Sequence, residues 1–152
     1  MAEQKVWHGT ISIAREYRAS PQRVFAALTL EDAKLRWFAS GEGFETFEYS
    51  VESKEGGREI WRGAYQGGAE ITNHGLYYDV VENERLIWAY EMHIGGARIS
   101  VSLSTIELTP NGSGTRLMLT EQGAYLTGPG DIPSREQGLR ELLEALAREL
   151  GE

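Results

Sequence analysis

Cysteine is absent from the 152 residues, which removes disulfides, thiolate nucleophiles and zinc–thiolate sites together. That absence fits a reducing compartment, and a cytoplasmic location is expected. No apolar run reaches the roughly 18 residues that a membrane helix needs. The first ten residues, MAEQKVWHGT, hold no apolar leader core, so neither membrane insertion nor secretion is expected. Positive charge is also scarce: 15 Lys and Arg stand against 23 Asp and Glu, a net charge of -8. Binding to nucleic acid or anionic lipid depends on cations that displace counterions, so neither partner is expected. The three histidines, His8, His74 and His93, lie far apart in sequence. No H-x3-H or HExxH spacing sets two of them on one face, and no metal or other cofactor is expected. The glycine-rich phosphate loop, the dinucleotide fingerprint and the G-x-S-x-G elbow are all missing.

What remains is ordinary globular composition, 41% hydrophobic and 25% charged. A chain of this length buries roughly 70% of its unfolded surface, and one domain over residues 1–152 is expected. In TISIAREYR the residues Ile11, Ile13 and Tyr17 share one parity, the mark of a half-buried strand. Ser20 then caps a helix that Pro21 begins, with Val24, Phe25 and Leu28 on its apolar face. A second short helix is expected from about Glu31 to Trp37. Six segments of strand character follow, punctuated by Gly56-Gly57, Gly67-Gly68, Glu82-Asn83-Glu84, Gly95-Gly96 and Asn111-Gly112. With the N-terminal strand they make a seven-stranded antiparallel meander. Leu139, Leu142, Leu143, Leu146 and Leu150 recur at helical spacing in the last segment, where Ser134 and Gln137 read as a capping box. Such a helix has one broad apolar stripe and must lie on the sheet.

Parity names an inner surface: Phe47, Tyr49 and Val51; Trp61; Tyr78 and Val80; Trp88, Tyr90 and Met92; Ile99, Val101 and Leu103; Leu117 and Leu119. Helical Leu139, Leu142, Leu143 and Leu146 face it. These residues form either a packed core or the lining of a pocket, since bulky aromatics with polar tips serve both. Two polar residues share the inward parities, His74 and Glu121. Both either fix the polar end of a ligand or lie near strand ends in water. As a pair in reach of one another they would make an acid and a base.

The order of YRASPQRVFAALT, LRWF, the glycine pair at 56 and 57, HGLYYDVVENERLIW, NGSGTRLMLTEQG and GLRELLEAL resembles that of the activator of heat-shock protein 90 ATPase homologues, in the START-like (SRPBCC) superfamily that includes the pollen-allergen fold. The resemblance implies an α+β helix-grip: a curved seven-stranded antiparallel sheet wrapped around a long C-terminal helix, with an apolar cavity between them capped by two short helices. Trp37 and Phe38 would then stand at the cavity mouth, beside the loop SGEG, or else plug the edge of the core. Related sequences often carry Trp where this one has Leu139, which would enlarge the cavity, and Glu59 falls on a parity usually given to an aromatic. The function implied is noncatalytic binding of a small apolar or amphipathic ligand. The alternatives are a hydrolase or cyclase-like enzyme using Glu121 and His74, and a module that engages a chaperone.

Overall fold

The computed structural model describes residues 5–152; residues 1–4 of the expected domain lie outside the described residues. The chain begins with β1 (Trp7–Tyr17), whose alternation buries Ile11, Ile13 and Tyr17 and leaves Ser12, Ala14 and Glu16 in water. Helix α1 (Pro21–Thr29) starts as expected: the Ser20 hydroxyl accepts from the Arg23 amide and Pro21 fills the first helical position. Helix α2 (Glu31–Trp37) has no side-chain cap. It carries Glu31 and Asp32 in its first turn and Lys34 and Arg36 in its last, which complements the helix dipole at both ends.

Six strands follow: β2 (Phe44–Val51), β3 (Arg58–Tyr65), β4 (Ile71–Val81), β5 (Arg85–Ile94), β6 (Ala97–Asn111) and β7 (Gly114–Tyr125). They form one sheet in the order β1-β7-β6-β5-β4-β3-β2, each neighbouring pair antiparallel. Consecutive strands are neighbours from β2 to β7, the meander read from the turn signals, and β1 joins the far edge beside β7. The three-residue connection Glu82-Asn83-Glu84 works because Asn83 takes a left-handed conformation (φ 64), one that asparagine tolerates better than most residues.

Helix α3 (Asp131–Glu149) packs against β1 and α2. It starts three residues before the expected capping box. Gly130 is the N-cap and no side chain caps it, so Ser134 is already inside the helix; Pro133 in the first turn needs no amide donor there. Leu139, Leu143, Leu146 and Ala147 bury their side chains against Ile11, Ile13, Val24 and Leu117. Leu146 is fully buried, and its truncation to alanine would cost about 2–5 kcal/mol. The architecture is the helix-grip: a curved antiparallel sheet around the C-terminal helix, with two short helices after the first strand.

Three register shifts bend the sheet and change which side chains face α3. A bulge between Thr46 and Glu48 leaves Phe47 without a partner and turns it outward, where it is exposed under the Arg62 guanidinium. Another, between Tyr77 and Asp79, ejects Tyr78, which is 59% exposed, and puts fully enclosed Tyr77 on the inner face instead. The expected inward parity was therefore right for Tyr49, Val51 and Val80 and wrong for Phe47, Tyr78 and His74, because each bulge shifts the count by one. In β6 the apolar residues change parity along the strand. Ile106 and Leu108 are buried, so the inward residues of its first half are Ser100, Ser102 and Ser104, and Val101 and Leu103 are exposed on the outer face.

Candidate functional site

Two polar clusters are buried on the inner face. The first joins α2 to β2, β3 and β4. The Lys34 ammonium bonds the Glu59 carboxylate, to which the Tyr49 hydroxyl also donates; Tyr77 donates to the other carboxylate oxygen at 3.5 Å. The Lys34 and Glu59 side chains are only 7% and 5% exposed. Burial opposes the charge on Lys34, but Glu59 and Tyr77 around it outweigh that and hold its pKa above the ordinary lysine value. Burial and then the neighbouring Glu59 raise the Tyr49 phenol, and burial raises that of Tyr77. A lysine held protonated in this way is neither a nucleophile nor a general base near neutral pH. Its ammonium also lies 4.4 Å from the centre of the Phe38 ring.

The second cluster joins α3 to β5, β6 and β7. Glu121, 1% exposed, accepts from the Tyr90 hydroxyl at 2.9 Å and the Ser104 hydroxyl at 2.7 Å. Arg135 reaches down from the second turn of α3. Its Nη1 donates to Tyr90 Oη at 2.9 Å, Ser102 Oγ at 3.3 Å and Glu121 at 3.4 Å, and its Nη2 to Ser100 Oγ at 2.7 Å and Met92 Sδ at 3.4 Å. The guanidinium lies 5.6 Å from the Tyr90 ring centre and 5.3 Å from that of Tyr125. Burial and the Glu121 charge raise the Tyr90 phenol, and burial raises that of Tyr125, so both remain neutral donors over the physiological range.

Several expected lining residues border this second cluster. Tyr90 and Glu121 belong to it, Met92 touches it, and half-buried Trp88 follows the same parity of β5. Leu119 lies one inward position before Glu121, and Leu139, Leu142, Leu143 and Leu146 continue the α3 stripe that Arg135 begins. Trp61 faces inward from β3, buried, with its indole N–H on the Thr46 hydroxyl at 2.9 Å and its ring against Phe44. Trp37 is 8% exposed, and its indole N–H donates to the Ala27 carbonyl at 2.8 Å, which ties α2 to α1. It also borders a surface depression of about 280 Å³ with Ser40, Gly41 and α3 residues Ala145 and Arg148. Phe38 is half-buried between Trp37 and Tyr49.

His74 and Glu121 are not brought together. His74 is exposed on the outer face, opposite Glu91, and its ring lies 6.4 Å from that of His93. His93 bonds Glu91 at 2.7 Å and lowers its pKa. Strand pairing thus makes neighbours of two histidines that are distant in sequence. Among the described residues no group of three or more His, Asp or Glu is set to hold a metal ion, and no helix is long and apolar enough to cross a membrane.

The sequence reading missed Lys34, Tyr77, Arg135, Tyr125 and the three serines of β6. The signal for Arg135 was its spacing: 135, 139, 142 and 146 follow one helical stripe, so a charged residue there points at the sheet. For the serines it was the buried Ile106 and Leu108 on the same parity.

The chain matches the family model described as Activator of Hsp90 ATPase homolog 1-like protein over residues 18–151. Among solved structures it is similar to the Mll3558 protein from Rhizobium loti, at 43% identity and a TM-score of 0.89, covering 96% of this chain and 99% of that one. A protein from Rhizobium leguminosarum is 35% identical with a TM-score of 0.91, covering 96% of both chains. CV1439 from Chromobacterium violaceum is 25% identical with a TM-score of 0.73, covering 91% of this chain and 94% of that one. No curated protein matches it. With the family model spanning all but the first strand and the helix-grip architecture in place, the chain belongs to the Activator of Hsp90 ATPase homolog 1-like family.

Proposed function

We propose that this chain, acting as one domain in a reducing compartment such as the cytoplasm, binds a small apolar or amphipathic molecule between the concave face of its sheet and α3. The observation that carries the reading is the polar cluster of Glu121, Tyr90 and Arg135 beneath the first turns of α3, bordered by half-buried Trp88, Met92 and Leu142. A polar group bordered by apolar side chains orients a ligand, while those side chains supply the contact area. Trp61, Leu119, Leu139 and Leu143 complete the proposed contacts. The chaperone-partner reading rests on the family's description alone. The enzyme reading loses its acid–base pair, because His74 and Glu121 lie on opposite faces of the sheet.

The test is a fluorescence titration with phenylnaphthylamine, an uncharged apolar probe, read by energy transfer from the tryptophans. Saturable binding at one site per chain is expected, together with a co-purifying small molecule in native mass spectrometry of protein prepared without denaturation. A probe signal that never saturates, from protein that carries no added mass, contradicts the proposal.

A further inference from the structure

At the end of the sheet nearest the start of α3, the inner face is floored by small residues from three strands. Gly9, Gly123 and Ser102 stand in one cross-strand row, with Ser100 paired to Tyr125 and Ser104 to Glu121 on either side. A methyl group at Gly9 would meet Ile132 of α3 at 2.9 Å. One at Gly123 would meet the Tyr125 ring at 2.7 Å and its hydroxyl oxygen at 2.8 Å. The glycines are thus the reason that the Tyr125 ring can fold back over β7 and the reason that α3 can come close.

Tyr125 is fully buried, and among the described residues its hydroxyl is a buried polar atom with no hydrogen-bond partner. Every other polar side chain of the cluster has one. Buried hydroxyls are almost always bonded, so an orphan among satisfied neighbours marks a place where a partner from outside belongs.

Charge decides what that partner is. Glu121 and Arg135 cancel one another, and both phenols are neutral. A carboxylate or ammonium brought here would add one unbalanced charge to a desolvated site, at a cost that the existing pair cannot offset. What is unmet is a single donor, and a neutral oxygen acceptor satisfies it without bringing a second proton to place, as a ligand hydroxyl would.

Resting on the ligand-binding reading above, we propose that the Gly123–Tyr125–Arg135 end of the inner face receives the carbonyl oxygen of an uncharged apolar ketone, ester or amide, which accepts from the Tyr125 hydroxyl. Arg135 and Glu121 act as positioning residues that hold Tyr90 and the β6 serines in place around it.

The experiment compares three fluorescent probes on the native protein and on Tyr125→Phe: a dimethylaminonaphthalene ketone, whose emission reports hydrogen bonding to its carbonyl; anilinonaphthalene sulfonate, its anionic counterpart; and phenylnaphthylamine, which has no carbonyl. Tyr125→Phe removes no hydrogen bond made by the free protein and should fold normally. The ketone is expected to bind at one site, more tightly than the sulfonate. Tyr125→Phe should weaken the ketone roughly tenfold, the factor for one buried hydrogen bond, and shift its emission to the blue, while phenylnaphthylamine binds unchanged. Leu103→Asp, which puts a charge into an outer-face depression of about 650 Å³ lined by Val101 and Leu103, should leave all three probes unaffected. If phenylnaphthylamine binds but the ketone is indifferent to Tyr125→Phe, or the sulfonate binds as tightly as the ketone, the carbonyl site is overturned while the proposed ligand binding stands. If no probe binds, or Leu103→Asp abolishes binding, the inner face is not a ligand site at all and water alone partners Tyr125.

Discussion

The two buried clusters have the same formal make-up, one cation, one carboxylate and two tyrosines, yet they are finished differently. Around Glu59 the carboxylate draws in Lys34, Tyr49 and Tyr77, and both charged side chains are shut off from water. Around Glu121 the ion pair is long, 3.4 Å, the Arg135 side chain keeps 12% of its surface exposed, and one tyrosine hydroxyl is left over. Their floors differ as well. Glu59 stands beside Trp61 with Phe38 stacked near its lysine, whereas Glu121 lies among serines and glycines. A closed polar cluster in a well-filled surrounding ties elements together; an open one over small residues is where a ligand has something to gain. The first therefore acts as a strut that pins α2 to the sheet, and the second is the polar end of the proposed binding face.

Alkali should break both together. Lys34, Arg135 and the tyrosines of the clusters all titrate higher in the folded chain than free in water, and burial pushes the Tyr17 phenol up to about 12. A group whose folded pKa is raised lends stability that is fully present below its unfolded pKa and lost as pH rises through the folded one. For the tyrosines that loss begins at about pH 10. Stability should be level on the neutral side of that value and fall steeply above it, with tyrosinate absorbance appearing together with unfolding. Phenols that ionise well before circular dichroism changes would show the rings to be open to water.

Substitution separates the clusters. Lys34→Met leaves the Glu59 carboxylate buried without its cation and should cost about 3–5 kcal/mol in a urea melt, with the affinity of the folded protein for phenylnaphthylamine unchanged. Arg135→Met should cost less, about 1–3 kcal/mol, because both hydroxyl donors that Glu121 keeps lie within 2.9 Å and its cation is the more distant and the more exposed; the dimethylaminonaphthalene ketone should bind less tightly. Equal losses at the two sites, or a probe that responds to Lys34 and ignores Arg135, would erase the distinction. The smallest effect is expected from Tyr125→Phe, which removes an unpaired buried hydroxyl and should raise stability by on the order of 1 kcal/mol. A loss of that size would mean that the hydroxyl already has a firm partner.

The order of elements was legible in the sequence, and each cluster only in part: Tyr49 of the strut and Tyr90, Met92 and Glu121 of the other cluster were expected on the inner face, whereas Lys34, Tyr77, Arg135 and Tyr125 were not. Ser20-Pro21, the Ile11–Ile13 alternation and the spacing of Leu139, Leu143 and Leu146 each obey one local rule, and the elements they define are where they were expected. Trp37 and Phe38 were correctly set at the end of α2, although the Ala27 bond that fastens Trp37 needs the fold to bring α1 alongside. Inward and outward positions failed wherever the ladder slips. Phe47 and Tyr78 sit at bulges, and no composition marks a bulge in a run of good strand formers. In β6 the more apolar parity, Val101 and Leu103, is the exposed one, because the inner face there is polar by design of its contacts with Glu121 and Arg135. Arg135 went unnoticed for a related reason: charge is normally outside, and only the register of three strands puts a carboxylate beneath it.

The most direct test is methyl NMR on the native chain during titration with the dimethylaminonaphthalene ketone. Met92 touches Arg135, Ile132 lies over Gly9, and Leu139 follows Arg135 on the same stripe of α3, while Val101 and Leu103 lie on the opposite face of the sheet. The account predicts that the first three methyl signals shift with a common saturation point and that those of Val101 and Leu103 hold still. Shifts at Val101 and Leu103 with Met92 and Ile132 unmoved would place the ligand on the outer face and contradict it.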